Sequence, residues 1–258
     1  MFDKDQVEKQ INRLDRVPTG ISGFDELCGG GLLRNRTYLV SGTAGAGKTI
    51  FGLQYLYNGI TKYNENGIYI ATEETPEQVR ENVKQFGWDF KALENEGRLA
   101  IVDACSTKIG LPTQEKYVDV RPFDMRSLLD QIIAIQEDNG AKRAFLDGST
   151  SIGFYLQEPL KIRIELLRLS TTLEMLNLTS LMTCEIINEN MITRFGVEDF
   201  VTEGTILMSY KRKESIRVRG IEIIKMRGTS HSQNIHPYEI TSSGIVVHQH
   251  EEVYSTWK

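Results

Sequence analysis

The sequence lacks the residues and segments that mark several common classes of protein. Its three cysteines, Cys28, Cys105 and Cys184, lie far apart and have no companion histidines. This spacing argues against a disulfide framework and a zinc site, and it is typical of reduced thiols in the cytosol. No uncharged apolar run approaches the ~20 residues needed to cross a bilayer, and the charged first residues do not form a signal peptide. We therefore expect a cytoplasmic protein without direct membrane insertion.

The sequence also lacks an excess of basic residues. Its 258 residues carry a formal net charge of −5, whereas proteins that live on nucleic acids are usually basic. The exception is the segment 211–219, where Lys211, Arg212, Lys213, Arg217 and Arg219 form a compact basic hairpin. This hairpin leaves DNA binding open, but the overall charge does not favour it as the main role.

What the sequence does contain is a regular alternation of short apolar runs with helical stretches. The runs do not alternate with polar residues, so they predict a parallel sheet that is covered by helices on both faces. The predicted strands are 37–41, 68–71, 99–102, 144–146 and 180–183, and the predicted helices are 48–61, 76–86, 124–137 and 159–176. Four further runs joined by short polar turns predict an antiparallel extension at 205–211, 215–226, 238–241 and 245–248.

We divide the chain into one large domain with two short ends. No repeat, low-complexity tract or flexible linker interrupts residues 17–250. Val7, Ile11 and Leu14 recur at helical spacing, so residues 1–16 are expected to form an N-terminal helical segment. This segment would either brace the domain or contact a neighbouring subunit. Residues 251–258 form a C-terminal tail.

A glycine-rich loop between the first predicted strand and helix carries the strongest functional motif. The motif is G-x-x-x-x-G-K-[ST], in which successive backbone N–H groups converge on the phosphates of a nucleotide. Its residues are Gly42, Thr43, Ala44, Gly45, Ala46, Gly47, Lys48 and Thr49. Lys48 is expected to reach the β- and γ-phosphates, and the Thr49 hydroxyl to bind Mg²⁺. The sequence therefore predicts that the protein binds ATP together with Mg²⁺.

Carboxylates that follow two other predicted strands supply the remaining groups that ATP hydrolysis requires. Asp147 follows the run 144–146, where it would bind Mg²⁺ or, alternatively, cap the next helix. Glu73 and Glu74 follow the run 68–71, where one of them, with Glu73 preferred, would act as the base that activates water. The alternative is that the two glutamates cap the helix that begins at Pro76. The candidate catalytic residues are thus Glu73, Glu74 and Lys48.

Several segments together resemble a single domain of the KaiC family, which belongs to the RecA/RadA group of P-loop ATPases. The resemblance covers about residues 17–247. Besides the phosphate loop, it rests on the segments 20–27 (GISGFDEL), 71–77 (ATEETPE), 86–88 (FGW), 194–200 (RFGVEDF) and 225–231 (KMRGTSH). It implies a RecA-like α/β fold with a mostly parallel central sheet, flanking helices and an antiparallel C-terminal extension.

The resemblance also implies a homo-oligomeric ATPase. In the family, ATP binds between the subunits of a ring, which is expected to be a hexamer here. Lys225, Arg227, Ser230 and His231 would bind the nucleotide of the neighbouring subunit, and Lys225 and Arg227 would stabilise the charge of the transition state. Without the resemblance, these side chains would be interpreted as a solvated face. The nucleotide state would be coupled to a protein partner that the sequence does not identify.

Two differences from full-length KaiC limit what the resemblance implies. KaiC carries two tandem copies of the domain and this chain has one, so it can form only a single ring. The positions that align with the phosphorylated Ser-Thr pair of the second copy are Asp199 and Phe200, which have no hydroxyl group. The chain therefore resembles the hydrolytic first copy more closely, self-kinase activity stays open, and clock function is not implied. RecA relatives sense the γ-phosphate with Gln or Asn at a position where this chain has Cys184 and Glu185.

Two other functions remain as alternatives. One is a RecA/RadA-type protein that binds DNA and modulates recombination, although no helix-hairpin-helix module precedes the ATPase core. The other is a nucleotide-responsive interaction protein, like the FlaH subunits of the archaellum motor, which also resemble KaiC and for which binding matters more than turnover. The intact pair Glu73 and Glu74 favours hydrolysis over the second alternative.

Overall fold

The computed structural model describes residues 15–119, 124–188, 190–251 and 253. The predicted N-terminal helix around Val7, Ile11 and Leu14 lies outside these residues, as does most of the C-terminal tail. None of the helices in the described ranges is both long enough and apolar enough to cross a membrane.

Ten strands of the described chain build one sheet, and two others pair separately. The strands are β1 Arg16–Val17, β2 Leu32–Leu33, β3 Thr37–Gly42, β4 Gly67–Ala71, β5 Leu99–Asp103, β6 Tyr117–Val118, β7 Arg143–Asp147, β8 Thr179–Glu185, β9 Gly204–Lys213, β10 Ile216–Met226, β11 His236–Thr241 and β12 Gly244–Val247. The order in the large sheet is β12-β11-β10-β9-β3-β8-β7-β4-β5-β6. β1 pairs with β2.

The large sheet is mostly parallel, as predicted. The strands from β9 to β6 in this order are parallel to one another. β10, β11 and β12 extend the sheet in the antiparallel sense. β9 had been predicted as the first antiparallel strand, and it joins the two parts because it pairs parallel with β3 and antiparallel with β10.

Helices cover both faces of the sheet. They are α1 Phe24–Leu27, α2 Lys48–Tyr63, α3 Pro76–Lys84, α4 Phe90–Asn95, α5 Met125–Asn139, α6 Ser149–Leu156 and α7 Pro159–Met175. Side chains of α2, α3 and α4 pack in one hydrophobic core. Side chains of α5, α6 and α7 pack in a second core. Two short 3-10 helices, Thr107–Ile109 and Glu198–Val201, lie in connecting segments.

Local sequence signals set the ends of the longer helices. Thr75 and Gln78 form a capping box at the start of α3, and Pro76 stands in the first turn, where its missing N–H costs no hydrogen bond. Asp124 caps α5, which ends at Gly140 with a φ of 65°. The cap of α3 is therefore Thr75, and neither preceding glutamate takes that position.

A close approach between α2 and β7 anchors the centre of the fold. A Cβ added at Gly52 would lie 2.1 Å from the Phe145 ring, and one added at Gly59 would lie 2.3 Å from Cδ of Arg143. A side chain at either position would therefore push the helix away from the strand. The helix that begins at the phosphate loop is held against the middle of the sheet in this way.

Arg143 is an unusual charge in this core because it is fully buried. Its Nε donates to the Glu65 carboxylate at 2.8 Å, and its guanidinium lies 4.7 Å from the centre of the Tyr55 ring. Glu65 also accepts a hydrogen bond from Arg34 at 2.8 Å. The two arginines and one carboxylate thus form a compact network, which offsets part of the cost of burying Arg143, although its Nη2 has no hydrogen-bond partner among the described residues.

Candidate nucleotide-binding site

The phosphate loop, residues 42–49, connects the end of β3 to the start of α2. Its sharp course depends on glycine, because Gly45 and Gly47 have φ angles of 78° and 93°, which other residues rarely adopt. Gly47 immediately precedes α2, so the unpaired N–H groups of the first helical turn lie at the loop. These donors and the positive end of the helix dipole form a site for an anion.

Side chains of the antiparallel extension pack against this loop. The Tyr238 hydroxyl donates a hydrogen bond to the carbonyl of Ala46. A Cβ added at Gly45 would lie 3.4 Å from the Tyr210 ring, and one added at Gly47 would lie 2.9 Å from Cδ1 of Ile240. The C-terminal strands therefore restrict the movement of the loop.

Lys48 lies in the loop and is turned toward its backbone. Its Nζ donates to the carbonyls of Gly42 and Thr43 at 2.9 and 3.1 Å. Burial lowers the pKa of Lys48, and neighbouring carboxylates, foremost Glu185, oppose this shift. The Thr43 hydroxyl is buried and has no hydrogen-bond partner among the described residues. The oxygens of a bound phosphate would offer partners to both side chains.

Asp147 ends β7 and is almost completely buried, with 4% of its surface exposed. Its carboxylate accepts a hydrogen bond from the Thr183 hydroxyl at 2.6 Å, and the Thr49 side chain lies near it. Burial raises the pKa of Asp147, while the interactions with Thr183 and Thr49 oppose the shift. Gly148 holds the N-cap position of α6, so Asp147 does not cap that helix. The Thr49 hydroxyl and the Asp147 carboxylate are hard oxygen ligands, a donor set that fits Mg²⁺.

Glu73 follows β4 and points to the same end of the sheet as Asp147. A Cβ added at Gly148 would lie 2.5 Å from Oε1 of Glu73, so the glycine permits this approach. The Ser151 hydroxyl donates to the same oxygen at 3.4 Å. Partial removal from water and the charges of Asp147 and Glu185 raise the pKa of Glu73. A carboxylate with a raised pKa is a better proton acceptor, as a general base requires.

Glu74 has different surroundings from Glu73, although the two are adjacent in the sequence. Its Oε2 accepts a hydrogen bond from Asn82 of α3 at 2.9 Å. Its side chain borders a cavity on the α3 side of the phosphate loop. Both glutamates therefore lie near Asp147, but Glu73 also interacts with Lys48, whereas Glu74 is hydrogen-bonded to α3.

Three further side chains at this end of the sheet were not predicted to belong to the site. Glu185 ends β8 directly beside Gly42. Lys108 donates to the carbonyl of Thr72, the residue before Glu73, at 2.9 Å. Ser151, in the first turn of α6, is the third. No motif marks these residues, because they come together only where the carboxyl ends of parallel strands meet.

The cavity beside Glu74 was not predicted either. It has a volume of about 280 Å³ and lies between the start of α2 and the end of α3. Its apolar lining consists of Ile50, Leu53, Val83, Phe86 and Trp88. A flat apolar ring attached to a phosphate chain in the loop would fit between such side chains. The segment 86–88 (FGW), which also belongs to the family resemblance, supplies two of these side chains.

The segment 225–231 lies at the opposite end of the sheet from the phosphate loop. Met226 pairs with Gly204, which in turn pairs with Tyr38 near the start of β3. The phosphate loop follows the other end of β3, so the strand separates the two groups by roughly 16 Å. The candidates that this segment carries are Lys225, Arg227, Ser230 and His231. Within one chain, the structure does not bring these four residues to the phosphate loop.

A β-bulge lies next to Lys225 in β10. The pairing with β9 shifts between Ile223 and Lys225, so Ile224 is an extra residue. The shift returns Met226 to the core and leaves Lys225 and Arg227 outside it. Bulges of this kind redirect side chains, and they are common near active sites.

Both cations of this segment have partners in their own chain. Lys225 Nζ donates to the carbonyls of Asp199 and Thr202, the second at 2.9 Å. Burial and the charge of Arg227 lower the pKa of Lys225. Arg227 forms an ion pair with Glu203 at 3.2 Å and is more than half exposed. Lys225 is therefore fixed to the 3-10 helix segment, whereas Arg227 remains accessible.

Ser230 and His231 border a wide, open cavity of about 500 Å³, together with Leu27 and His236. The Thr229 hydroxyl next to Ser230 accepts a hydrogen bond from Arg16 at 2.5 Å. These contacts hold the segment against the beginning of the described chain.

The basic hairpin lies at the phosphate-loop end of the sheet. The guanidinium groups of Arg217 and Arg219 lie 5.2 and 4.2 Å from the centre of the Tyr210 ring. Tyr210 itself lies against Gly45. Two of the five cations in the hairpin are therefore stacked beside the phosphate loop.

The chain is similar to known proteins over nearly all of its length. Residues 17–252 match the family described as "ATPase: KaiC". The circadian clock oscillator protein KaiC of Parathermosynechococcus lividus is 40% identical over 238 residues, which are 92% of this chain and 43% of that protein. The chain thus spans less than half the length of this relative.

Two other relatives match over nearly their full length. The UPF0273 protein MJ1359 of Methanocaldococcus jannaschii is 40% identical over 237 residues, which cover 91% of this chain and 97% of that protein. The crystal structure of the KaiC-like protein PH0186 from Pyrococcus horikoshii aligns with a TM-score of 0.79 at 35% identity, covering 91% of this chain and 99% of that one.

Proposed function

The chain belongs to the KaiC family of ATPases, and from this we propose that it binds MgATP between the subunits of a hexameric ring and hydrolyses it. The nucleotide state would then be communicated to a protein partner. The observation that carries the proposal is the convergence of Lys48, Thr49, Asp147 and Glu73 on one end of the parallel sheet, around an anion-binding loop.

The phosphate loop binds the triphosphate in this proposal. Its backbone N–H groups and the start of α2 donate to the phosphate oxygens, and Lys48 exchanges its carbonyl partners for the β- and γ-phosphates. Thr49 and Asp147 hold the Mg²⁺ ion, which would neutralise part of the phosphate charge. The base of the nucleotide occupies the apolar cavity between α2 and α3.

Glu73 activates the attacking water in this proposal. Its carboxylate lies at the same end of the sheet as Lys48, and its raised pKa suits the acceptance of a proton. Glu74 has a supporting role, since it is hydrogen-bonded to Asn82 and borders the cavity assigned to the base.

The residues Lys225, Arg227, Ser230 and His231 act on the nucleotide of a neighbouring subunit. Support comes from their distance from the phosphate loop of their own chain, which a side chain cannot span. A head-to-tail arrangement brings the segment 225–231 of one subunit to the phosphate loop of the next, and such an arrangement closes into a ring. Arg227 then stabilises the charge that develops on the γ-phosphate.

Mixed rings test this proposal. Lys48→Ala removes the phosphate-binding cation, and Arg227→Ala removes the cation that acts on the neighbour. Each variant alone should form rings with little ATPase activity. An equal mixture should regain roughly one quarter of the wild-type activity, because a complete site needs an intact loop from one chain and an intact Arg227 from the next. Phosphate release and the particle mass are measured together, with and without MgATP.

The mixture has a matched control in Lys48→Ala combined with Arg227→Ala in one chain. Adding this double variant to either single variant completes no site, so the activity should stay at the level of the single variants. A mixture of single variants that is no more active than its components would contradict action across the interface. A monomer that binds ATP without turnover would contradict the ring and the hydrolysis.

A further inference from the structure

Thr72 joins β4 to the proposed base Glu73, and hydrogen bonds fix it firmly to β7 on one side. Its side chain is fully buried. Its backbone N–H donates to the carbonyl of Asp147 at 2.9 Å, and its hydroxyl donates to the same carbonyl at 2.8 Å. The same hydroxyl accepts from the N–H of Gly148 at 2.9 Å. The segment that leads to Glu73 is therefore attached to the end of the strand that carries Asp147.

Lys108 holds Thr72 from the other side. Its Nζ donates a hydrogen bond to the Thr72 carbonyl at 2.9 Å. Lys108 belongs to the 3-10 helix Thr107–Ile109, which follows β5, and β5 is the neighbour of β4 on the side away from β7. The peptide bond between Thr72 and Glu73 thus accepts a hydrogen bond from a charged donor, which is roughly twice as strong as a bond between neutral groups.

The backbone of Lys108 is itself fixed at the end of β5. The carboxylate of Asp103, which is fully buried, accepts hydrogen bonds from the N–H groups of Cys105 and Ser106 at 3.1 and 2.9 Å. The N–H of Lys108 donates to the Cys105 carbonyl at 3.1 Å. These bonds close a tight turn after the strand, so the side chain of Lys108 starts from a defined position when it reaches Thr72.

Lys108 also brings a positive charge to a group of carboxylates. Asp147 and Glu185 act on Glu73 with charges of the same sign, whereas Lys48 and Lys108 act on it with the opposite sign. Like charges that lie together repel one another, and a nearby cation offsets part of this repulsion. Lys108 therefore stabilises the peptide bond before Glu73 through a hydrogen bond and the carboxylate of Glu73 through its charge.

We propose that Lys108 is a positioning residue for ATP hydrolysis, which holds the peptide bond between Thr72 and Glu73 where the Glu73 carboxylate can activate water. The inference rests on the proposed function, because it takes Glu73 as the base. Lys108 acts through Glu73 in this role and does not bind the phosphates. Its contribution is substantial because a displacement of a reacting group by about 1 Å can cost ~10²-fold in rate.

Substitution of Lys108 in the full-length protein tests this role. Lys108→Met keeps a long side chain but removes the charge and the hydrogen-bond donor. It should lower single-turnover phosphate release by about tenfold to 10²-fold, since the base is present but displaced. The affinity for a fluorescent ATP analogue should not change. Lys108→Arg retains the charge and N–H donors, so it should recover most of the rate.

A double variant shows whether Lys108 acts through Glu73. Once Glu73→Gln has removed the base, the position of this side chain no longer matters, so adding Lys108→Met should lower the rate little further. A loss in the Glu73→Gln background as large as the loss in the wild-type background would indicate direct action on the phosphates and would overturn the positioning role. A loss of ATP affinity in Lys108→Met would overturn it as well.

Hydrogen exchange of the protein without nucleotide gives a second measurement that does not depend on catalysis. The N–H of Glu73 belongs to the peptide bond that Lys108 holds. Exchange in the segment 72–75 should therefore be faster in Lys108→Met than in the wild type, because the segment opens more easily. Exchange in the phosphate loop, residues 42–49, should not change. Equal exchange of the segment 72–75 in both proteins would overturn the proposal.

Lys116→Met is the matched control, because Lys116 lies further along the same connecting segment but pairs with Asp138 at 3.6 Å. Its phosphate release and its hydrogen exchange should equal those of the wild type, and a loss as large as that of Lys108→Met would overturn the proposal. A Lys108→Met variant that hydrolyses ATP as fast as an active wild type would overturn the role of Lys108 alone. A wild type that binds ATP without turnover would overturn both this role and the proposed function.

Discussion

At the scale of single residues, Glu73 and Glu74 are the sharpest comparison, because the same residue type occupies adjacent positions with different surroundings. Glu73→Gln should lower ATP turnover by about 10²–10⁴-fold, the usual contribution of a general base, and leave ATP binding intact. Glu74→Gln should lower turnover much less, because Glu74 bonds to Asn82 of α3. Single-turnover phosphate release gives the chemical step, and equilibrium binding of a fluorescent ATP analogue gives the affinity. Equal losses of turnover in the two variants would contradict the assignment of the base to Glu73.

Glu65 predicts a pH dependence of stability. Burial alone would raise the pKa of Glu65, but the hydrogen bond from Arg34 and the charge of Arg143 hold it below its ordinary value. A carboxylate with a lowered folded-state pKa stabilises the fold above its unfolded-state pKa, and this contribution disappears as the pH falls through the folded-state value. Glu65→Gln should therefore cost about 1–3 kcal/mol near neutral pH. The difference from the wild type should shrink below about pH 4.5.

Urea denaturation at a series of pH values measures this difference. Glu81→Gln is the control, because Glu81 pairs with Lys84 on the exposed side of α3. Its stability should follow that of the wild type at every pH. A difference between Glu65→Gln and the wild type that stays constant down to acid pH would show that the ionisation of Glu65 does not contribute.

At the scale of elements, the contact between α2 and β7 reverses an ordinary rule of helix propensity. Alanine is normally better than glycine inside a helix by up to ~1 kcal/mol. At Gly52, however, the added Cβ would lie 2.1 Å from the Phe145 ring, so the helix or the ring must move. Gly52→Ala should therefore destabilise the protein by about 1–3 kcal/mol, the cost of overpacking a core.

Thr61→Ala, on the exposed side of the same helix, is the control and should be neutral or stabilising. Phe145→Leu should recover part of the loss in the Gly52→Ala background, because the smaller side chain makes room. Chemical denaturation of both single variants and the double variant gives the coupling energy. If the two substitutions are simply additive, the contact does not limit the approach of α2.

The sequence predicts the longer elements well because their patterns are local. The buried strands β3, β4, β5 and β7 each contain an apolar run of at least three residues. The boundaries of α2 and α7 differ from the predicted ones by two residues or fewer. β1, β2 and β6 are two residues long, and α1 and α4 have four and six residues. Elements this short are too brief to show a periodic sequence pattern. Contacts with distant parts of the chain hold them in place. The sequence does not reveal the bulge at Ile224 either, because the bulge depends on the pairing of β10 with β9.

The candidate site also consists of a part that a local motif predicts and a part that only the fold reveals. The phosphate loop is one continuous motif, so its position between β3 and α2 could be predicted from residues 42–49 alone. Glu185, Lys108 and Ser151 come from three separate elements, and only the order of strands in the sheet brings them to Glu73 and Lys48. The different directions of Glu73 and Glu74 depend on Gly148 and Asn82, which no pattern around the glutamates reveals.

At the scale of the whole molecule, β10 connects the two ends at which nucleotide contacts are proposed. Arg219, in its first half, is stacked on Tyr210 beside the phosphate loop of its own chain. Lys225, near its end, lies at the far side of the sheet. β10 is paired with β9 along its whole length. If β10 shifted along the sheet as one piece, Arg219 and Lys225 would therefore move together. In the proposed ring, the antiparallel extension would therefore link neighbouring sites.

The separation of the phosphate loop from the segment 225–231 determines how many complete sites an assembly of chains can contain. If each chain contributes half a site at either end, an isolated chain has no complete site and an open row of n chains has n − 1. Closing the row adds one more site without adding a chain, so the closed ring alone has as many sites as subunits. Dilution of such a protein would lower the activity per chain before any chain unfolds, and the whole population of sites would depend on the supply of neighbours.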